Sequence, residues 1–253
     1  MIAFIGYSVY SHYEYRIIAG NHLHITSGEN ALFWFDVRHS NRKNDIMFQD
    51  IETELLRFTP DLVLVEGGAN RFEGNREESI LDGESSFATY IARQNQIQVE
   101  DIEPPFPNQI AYLETKYSTN EILAIYLIRQ IGSEALLPEN RGFDFESYLI
   151  SGTEFLVENG LDYTFNNVND ILETINNFSS EEITNENWRD VKAHYIYAME
   201  WGSLFTIYND IVDYRNIYLV QLINEKKEYY HRIFIVMGGQ HLIDTEPSLR
   251  QKF

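Results

Sequence analysis

Two histidines, several carboxylates and an arginine stand in this sequence where short apolar runs end. The run Ile2–Gly6 is followed by Ser8, Ser11, His12 and Glu14, and Leu62–Glu66 leads into Gly67, Gly68 and Arg71. Gln98–Ile102 carries Asp101 and precedes Glu103, while Ile233–Gly238 opens onto Gly239, Gln240 and His241. If these runs are parallel neighbours in one sheet, all of these groups meet at its carboxyl edge, where open α/β sheets bind ligands. Imidazole and carboxylate are the groups that move protons at neutral pH or hold a divalent cation. The chain has no cysteine, so thiolate catalysis and disulfides are excluded and any metal must be held by His, Asp or Glu. Glycines beside the strand ends allow a tight turn or a close backbone approach to a ligand.

Each residue alone also has an ordinary reading. A lone glutamate at a strand end is more often a cap partner or a surface group, and His241 beside Gly238-Gly239 is equally a turn residue. His12 can simply start a helix, Arg71 can lie solvated in an acidic loop, and His22, His24 and His39 compete for any metal role. The functional reading rests on convergence, since all of these explanations would have to hold at one edge.

The elements that must position these groups follow from hydrophobic periodicity. Five runs read as buried strands: Ile2–Gly6, Leu32–Val37, Leu62–Glu66, Gln98–Ile102 and Ile233–Gly238. Several are continuous rather than alternating, as for strands covered on both faces. Helical patterns at Ile46–Phe58, which stops before Thr59-Pro60, and at Ser86–Gln96 lie between them, so strand–helix alternation predicts a mostly parallel sheet. Pro104, Pro105 and Pro107 break that alternation, and Ser118–Ile131, Phe145–Glu158 and Val168–Asn177 read as helices. The predicted architecture is one α/β domain, residues 1–253, its sheet flanked by helices and carrying a helical insertion or cap over 104–200. A long helix, about Trp201–Lys226, precedes the last strand, with Leu204, Tyr208, Ile211, Tyr218 and Leu222 as its inward stripe. Arg215 falls on that stripe, and a buried arginine needs a partner.

Composition narrows the function classes. Among 253 residues, 19 Lys+Arg face 39 Asp+Glu for a formal charge of −20, which weighs against phosphate backbones and anionic membranes. Hydrophobic residues at 44% and charged residues at 23% are ordinary for a globular domain. The opening run Met1 to Val9 lacks a basic start and a long apolar stretch and reads as a strand, not a signal peptide. No stretch approaches the roughly 18 apolar residues of a membrane span, so a cytoplasmic location is the default. Phosphate-binding loops, dinucleotide fingerprints, a Gly-x-Ser-x-Gly elbow and a His-Glu-x-x-His helix are all absent.

Four motifs in order make the resemblance specific. Glu66-Gly67-Gly68-Ala69-Asn70-Arg71-Phe72 places an arginine five positions after a strand-terminal glutamate, with an aromatic next. Asp101-Ile102-Glu103 is an acidic strand end, and Tyr214-Arg215-Asn216 lies within a long helix. Val236-Met237-Gly238-Gly239-Gln240-His241-Leu242 is a strand followed by Gly-x-x-His-Leu. In type, order and approximate spacing the chain resembles the TraB/Tiki/GumN, erythromycin-esterase and ChaN-like superfamily along its whole length. One position departs. Where that family has Gly-x-x-His after its first strand, this chain has Val9-Tyr10-Ser11-His12, with Glu14 following. Either a longer loop from Gly6 carries His12 to the site, or the first histidine is displaced.

The resemblance implies a hydrolase of ester or amide bonds, since similar proteins include metal-dependent proteases and macrolide esterases. His12, Glu66 and His241 would then hold a divalent cation such as Mn, Co or Zn. Without metal, His12 or Glu66 would act as general base on water. Arg215 or Arg71 would orient a carboxylate or stabilise an oxyanion. The substrate would be a small molecule or a peptide, with no nucleic acid involved. The alternative implied by haem-uptake and regulatory members is a non-catalytic protein whose aromatics (17 Tyr, 16 Phe, 3 Trp) line a groove for haem or a peptide.

Overall fold

The computed structural model describes residues 22–38, 40–135, 144–179, 181–190, 202 and 204–253. The expected first strand Ile2–Gly6, and with it Ser8, Ser11, His12 and Glu14, lies outside the described residues, as does His39.

The described strands are β1 (Leu23–Ser27), β2 (Asn30–Val37), β3 (Leu62–Val65), β4 (Gln98–Asp101) and β5 (Arg232–Gly238). The helices are α1 (Ile46–Phe58), α2 (Arg76–Asp82), α3 (Glu84–Gln94), α4 (Phe106–Glu114), α5 (Thr119–Ala135), α6 (Phe145–Glu158), α7 (Val168–Asn176), α8 (Leu204–Lys226) and α9 (Gly239–Lys252). The chain is α/β. Its sheet has the order β1-β2-β5-β3-β4, with β2, β5, β3 and β4 parallel and β1 antiparallel to β2. Two compact units divide it, Met1–Glu103 with Arg215–Phe253 and Pro104–Tyr214, and the division falls within α8.

In the first unit, period-two alternation sends each strand's side chains to opposite faces. Ala31, Phe33, Phe35, Val63, Val65, Phe234 and Val236 pack with Met47, Phe48, Ile51 and Leu55 of α1 and Phe87, Ala88 and Ile91 of α3. Leu32, Trp34, Leu62, Leu64, Ile233 and Ile235 pack the other way, with Leu219, Val220 and Ile223 of α8 and Leu242 and Leu249 of α9. Two apolar cores explain why these strands are unbroken hydrophobic runs in the sequence. Local chemistry sets the limits of α1. The Asp45 side chain accepts from the Met47 N–H at its start, and Thr59, at φ 47°, closes it just before Pro60.

The second unit is, among its described residues, helical. Buried Ile122, Leu123, Leu127 and Ile131 of α5 pack with α6 and α7, and a Cβ on Gly152 of α6 would come within 2.9 Å of Leu127. The prolines that end the strand–helix alternation also open a helix that was not expected from the sequence. Pro105 is the N-cap of α4 and Pro107 lies in its first turn, where the missing N–H has no intrahelical partner to lose.

Candidate functional site

Because four neighbouring strands are parallel, their carboxyl ends share one edge. Glu66 leaves β3 there, and Gly67 and Gly68 follow at φ 79° and 70°, a backbone that side chains with a Cβ rarely adopt. A Cβ on Gly68 would sit 3.5 Å from Asp101 Oδ2, so the loop passes directly over the end of β4. Arg93 of α3 fastens that loop from below by donating to the carbonyls of Asn70 and Phe72. At β4 the Ile102 N–H continues the ladder to Val65 O at 2.9 Å, and Asp101 Oδ1 accepts the Glu103 N–H at 3.0 Å. That turn aims Glu103 back over the edge.

Arg215 binds two of these carboxylates. Its Nε donates to Glu103 Oε2 at 2.8 Å, and its Nη2 donates both to Glu103 Oε1 and, at 2.6 Å, to Glu66 Oε1. The side chains of Arg215, Glu66 and Glu103 are 12%, 18% and 24% exposed, so the charges are largely out of water. One guanidinium facing two carboxylates leaves an excess of negative charge, and the protonation states shift accordingly. Burial pushes the Glu103 carboxyl up against the pull of Arg215, and repulsion from Glu66 and Asp101 adds to the rise. Burial also pushes Asp101 up, opposed by the Glu103 N–H and the charge of exposed Arg71. Burial alone would lower Arg215, but Glu103 and Glu66 outweigh it and hold the guanidinium above its ordinary value.

The next residue on α8 ties in the histidine. Asn216 is buried, and its Oδ1 lies 2.6 Å from His241 Nδ1. Its Nδ2 donates to Asp244 Oδ2 at 3.4 Å, and Gln240 Nε2 donates to Asp244 Oδ1 at 3.0 Å. His241 sits in the first turn of α9 because the helix begins at Gly239. The Asp36 carboxylate packs against that glycine, and a Cβ there would push it aside. Asp36, near the end of β2, is half-buried with its carboxyl pushed up by burial, and its N–H donates to His22 Nδ1 at 3.3 Å.

The structure thus brings Glu66, Glu103 and Arg215 into one hydrogen-bonded group, with Asp101 beside it and Arg71 acting on Asp101 through its charge. His241 joins through Asn216, the neighbour of Arg215. His12 lies outside the described residues. His22 packs on Phe35 and His24 on Phe33 and Phe58, away from the arginine cluster's hydrogen bonds. Asp36, Asn216 and Asp244 were not foreseen as site residues. A signal existed for Asn216, which is part of the Tyr214-Arg215-Asn216 motif, and for Asp244, which lies three positions after His241 on one helix face.

Glu66 and His241 are suitable metal donors by type, but Glu66 Oε1 is engaged by Arg215. Among the described residues no group of three His, Asp or Glu is placed to hold a metal ion. His12, the further donor that the resemblance implies, lies outside the described residues. Chemically, the described arrangement offers carboxyl groups that keep a proton to higher pH than usual and a histidine fixed at one ring nitrogen. No family model, curated protein or solved structure matches the chain. Among the described residues, no helix is long and apolar enough to cross a membrane.

Proposed function

We propose that this chain hydrolyses ester or amide bonds at the carboxyl edge of its sheet. The observation that supports this reading is the pair Arg215-Asn216. Two consecutive residues of α8 hold a cluster of acidic groups on one side and His241 on the other. In this reading His241 is the general base that takes a proton from water as it attacks the substrate carbonyl. Asp101, its carboxyl pushed up by burial, returns a proton to the leaving group. Arg215 has two of its three nitrogens on carboxylates, so its role is to hold them rather than to meet an oxyanion. Arg71, exposed beside Asp101, is the arginine left to orient a substrate carboxylate.

Metal assistance is a form of the same proposal in which His12 joins Glu66 and His241, and the base chemistry does not depend on it. The test is a panel of small esters and short peptides, assayed with and without added Mn, Co or Zn, on wild type and His241→Ala. Turnover that falls in the variant supports the proposal. Turnover only with added metal selects the metal-assisted form. A panel with no turnover under any condition counts against a hydrolase and moves attention to ligand binding, with haem tested first.

A further inference from the structure

We propose that Asn216 and Asp244 form a relay that locks neutral His241 as the Nδ1–H tautomer and makes Nε2 its acceptor nitrogen. The inference rests on reading His241 as a working residue, but its geometry stands without any turnover. Asp244 is the fixed point. A carboxylate only accepts hydrogen bonds, and both Asp244 oxygens face amide nitrogens: Oδ1 faces Gln240 Nε2 at 3.0 Å and Oδ2 faces Asn216 Nδ2 at 3.4 Å. The Asn216 amide is therefore oriented. Turned the other way, its oxygen would face a carboxylate oxygen and the buried amide would lose its bond to Asp244, which itself lies exposed on α9. With its nitrogen on Asp244, Asn216 presents Oδ1 to His241 Nδ1 at 2.6 Å. A carbonyl oxygen at that distance needs a donor, so Nδ1 carries the hydrogen and Nε2 carries the lone pair.

The consequence is chemical. Free imidazole side chains favour the Nε2–H form, in which the far nitrogen is a donor and can neither accept a proton from water nor ligate a metal. The relay reverses that preference, and it works equally for a general base and for a metal ligand. Asn216 and Asp244 are positioning residues, acting through His241, in the manner of the outer partners that orient ligating histidines elsewhere. The arrangement is also compact in sequence. Gln240, His241 and Asp244 share the first turns of α9, and Asn216 adjoins Arg215, so one helix register of α8 sets both the acidic cluster and the histidine.

The experiment is nitrogen-15 NMR of histidine-labelled full-length protein at a pH where the rings are neutral, with the His241 signals assigned by their loss in His241→Ala. The expected wild-type spectrum shows a protonated, pyrrole-type Nδ1 and an unprotonated, pyridine-type Nε2. Asn216→Ala shifts both signals toward the Nε2–H pattern. Asp244→Asn, a milder change that frees the amide to turn, gives an intermediate shift. A wild-type ring that is Nε2–H, or one whose tautomer is unchanged in both Asn216→Ala and Asp244→Asn, overturns the relay. The hydrolase reading fails separately: the predicted tautomer without turnover refutes only the hydrolase, and turnover with an Nε2–H ring refutes only the relay.

Discussion

The guanidinium of Arg215 meets Glu103 edge to edge, with Nε 2.8 Å from Oε2 and Nη2 facing Oε1, 112 residues apart in the chain. This paired geometry joins the end of β4 to the middle of α8, and Glu66 shares the same Nη2. Replacing the arginine leaves two carboxylates facing each other with little water to screen them. Arg215→Met is expected to destabilise the protein by about 3–5 kcal/mol, as for a broken buried pair. Urea unfolding measures it, and adding Glu103→Gln in the same chain should recover part of the loss. A cost below about 1 kcal/mol would mean that the cluster is solvated like a surface pair.

Asp36 carries a pH signature of known sign. Burial raises its folded-state value above that of the unfolded chain, so the folded protein holds this proton more tightly. Its contribution to stability is then fully present below the unfolded value, about 3.9, and is lost as pH rises through the folded one. Asp36→Asn removes the ionisation. Its melting temperature should exceed that of wild type by about 1–3 °C at pH 8, a gap that closes as pH falls toward 4. Thermal melts across that range check it, and a gap that widens on acidification would reverse the sign.

Asp36 also explains Gly239. A Cβ at position 239 would lie 2.3 Å from Oδ1 and 2.7 Å from Cγ of Asp36, so Gly239→Ala forces one of them to move. The expected cost is about 1–3 kcal/mol, the range for overpacking. In an Asp36→Ala background the same change should cost much less, since the obstructing carboxylate is gone. A double-mutant cycle by urea unfolding gives the coupling, and strict additivity would show that the contact is not what requires glycine.

Much of this was legible in the sequence where one physical signal dominated. β2, β3 and β5 are apolar runs because cores lie on both their faces. α1 and α6 keep their expected limits, Ile46–Phe58 and Phe145–Glu158, because an N-capping aspartate, Asp45 or Asp144, coincides with the start of the apolar period at each. β1 was hidden because only Leu23 of its five residues is buried, which leaves no run to see. α9 was hidden behind a Gly-Gly start and an internal Pro247, both of which read as turn.

The α8 stripe was read with a small rotation. Its buried apolar positions are Leu204, Ile207, Ile211, Leu219, Val220 and Ile223, while Tyr208, Tyr218 and Leu222 are only partly covered. Arg215 still falls near the covered face, which is why its need for a partner could be anticipated. Its partners Glu66 and Glu103 were already assigned to the same edge by strand polarity. Asp36 escaped because it stands inside the apolar run Phe33-Trp34-Phe35-Asp36-Val37 and reads as an interruption of core. Asn216 and Asp244 escaped because their meeting depends on how α8 packs beside α9, which no local spacing encodes.

The most direct test of the central proposal is the rate of hydrolysis of one ester or peptide substrate by wild type and His241→Ala, compared at matched folding by circular dichroism. The account predicts that loss of the base lowers kcat by about 100-fold or more, with KM little changed, as for a group acting in the transition state. Equal kcat in the two proteins, or no hydrolysis by wild type of any substrate tried, would contradict it.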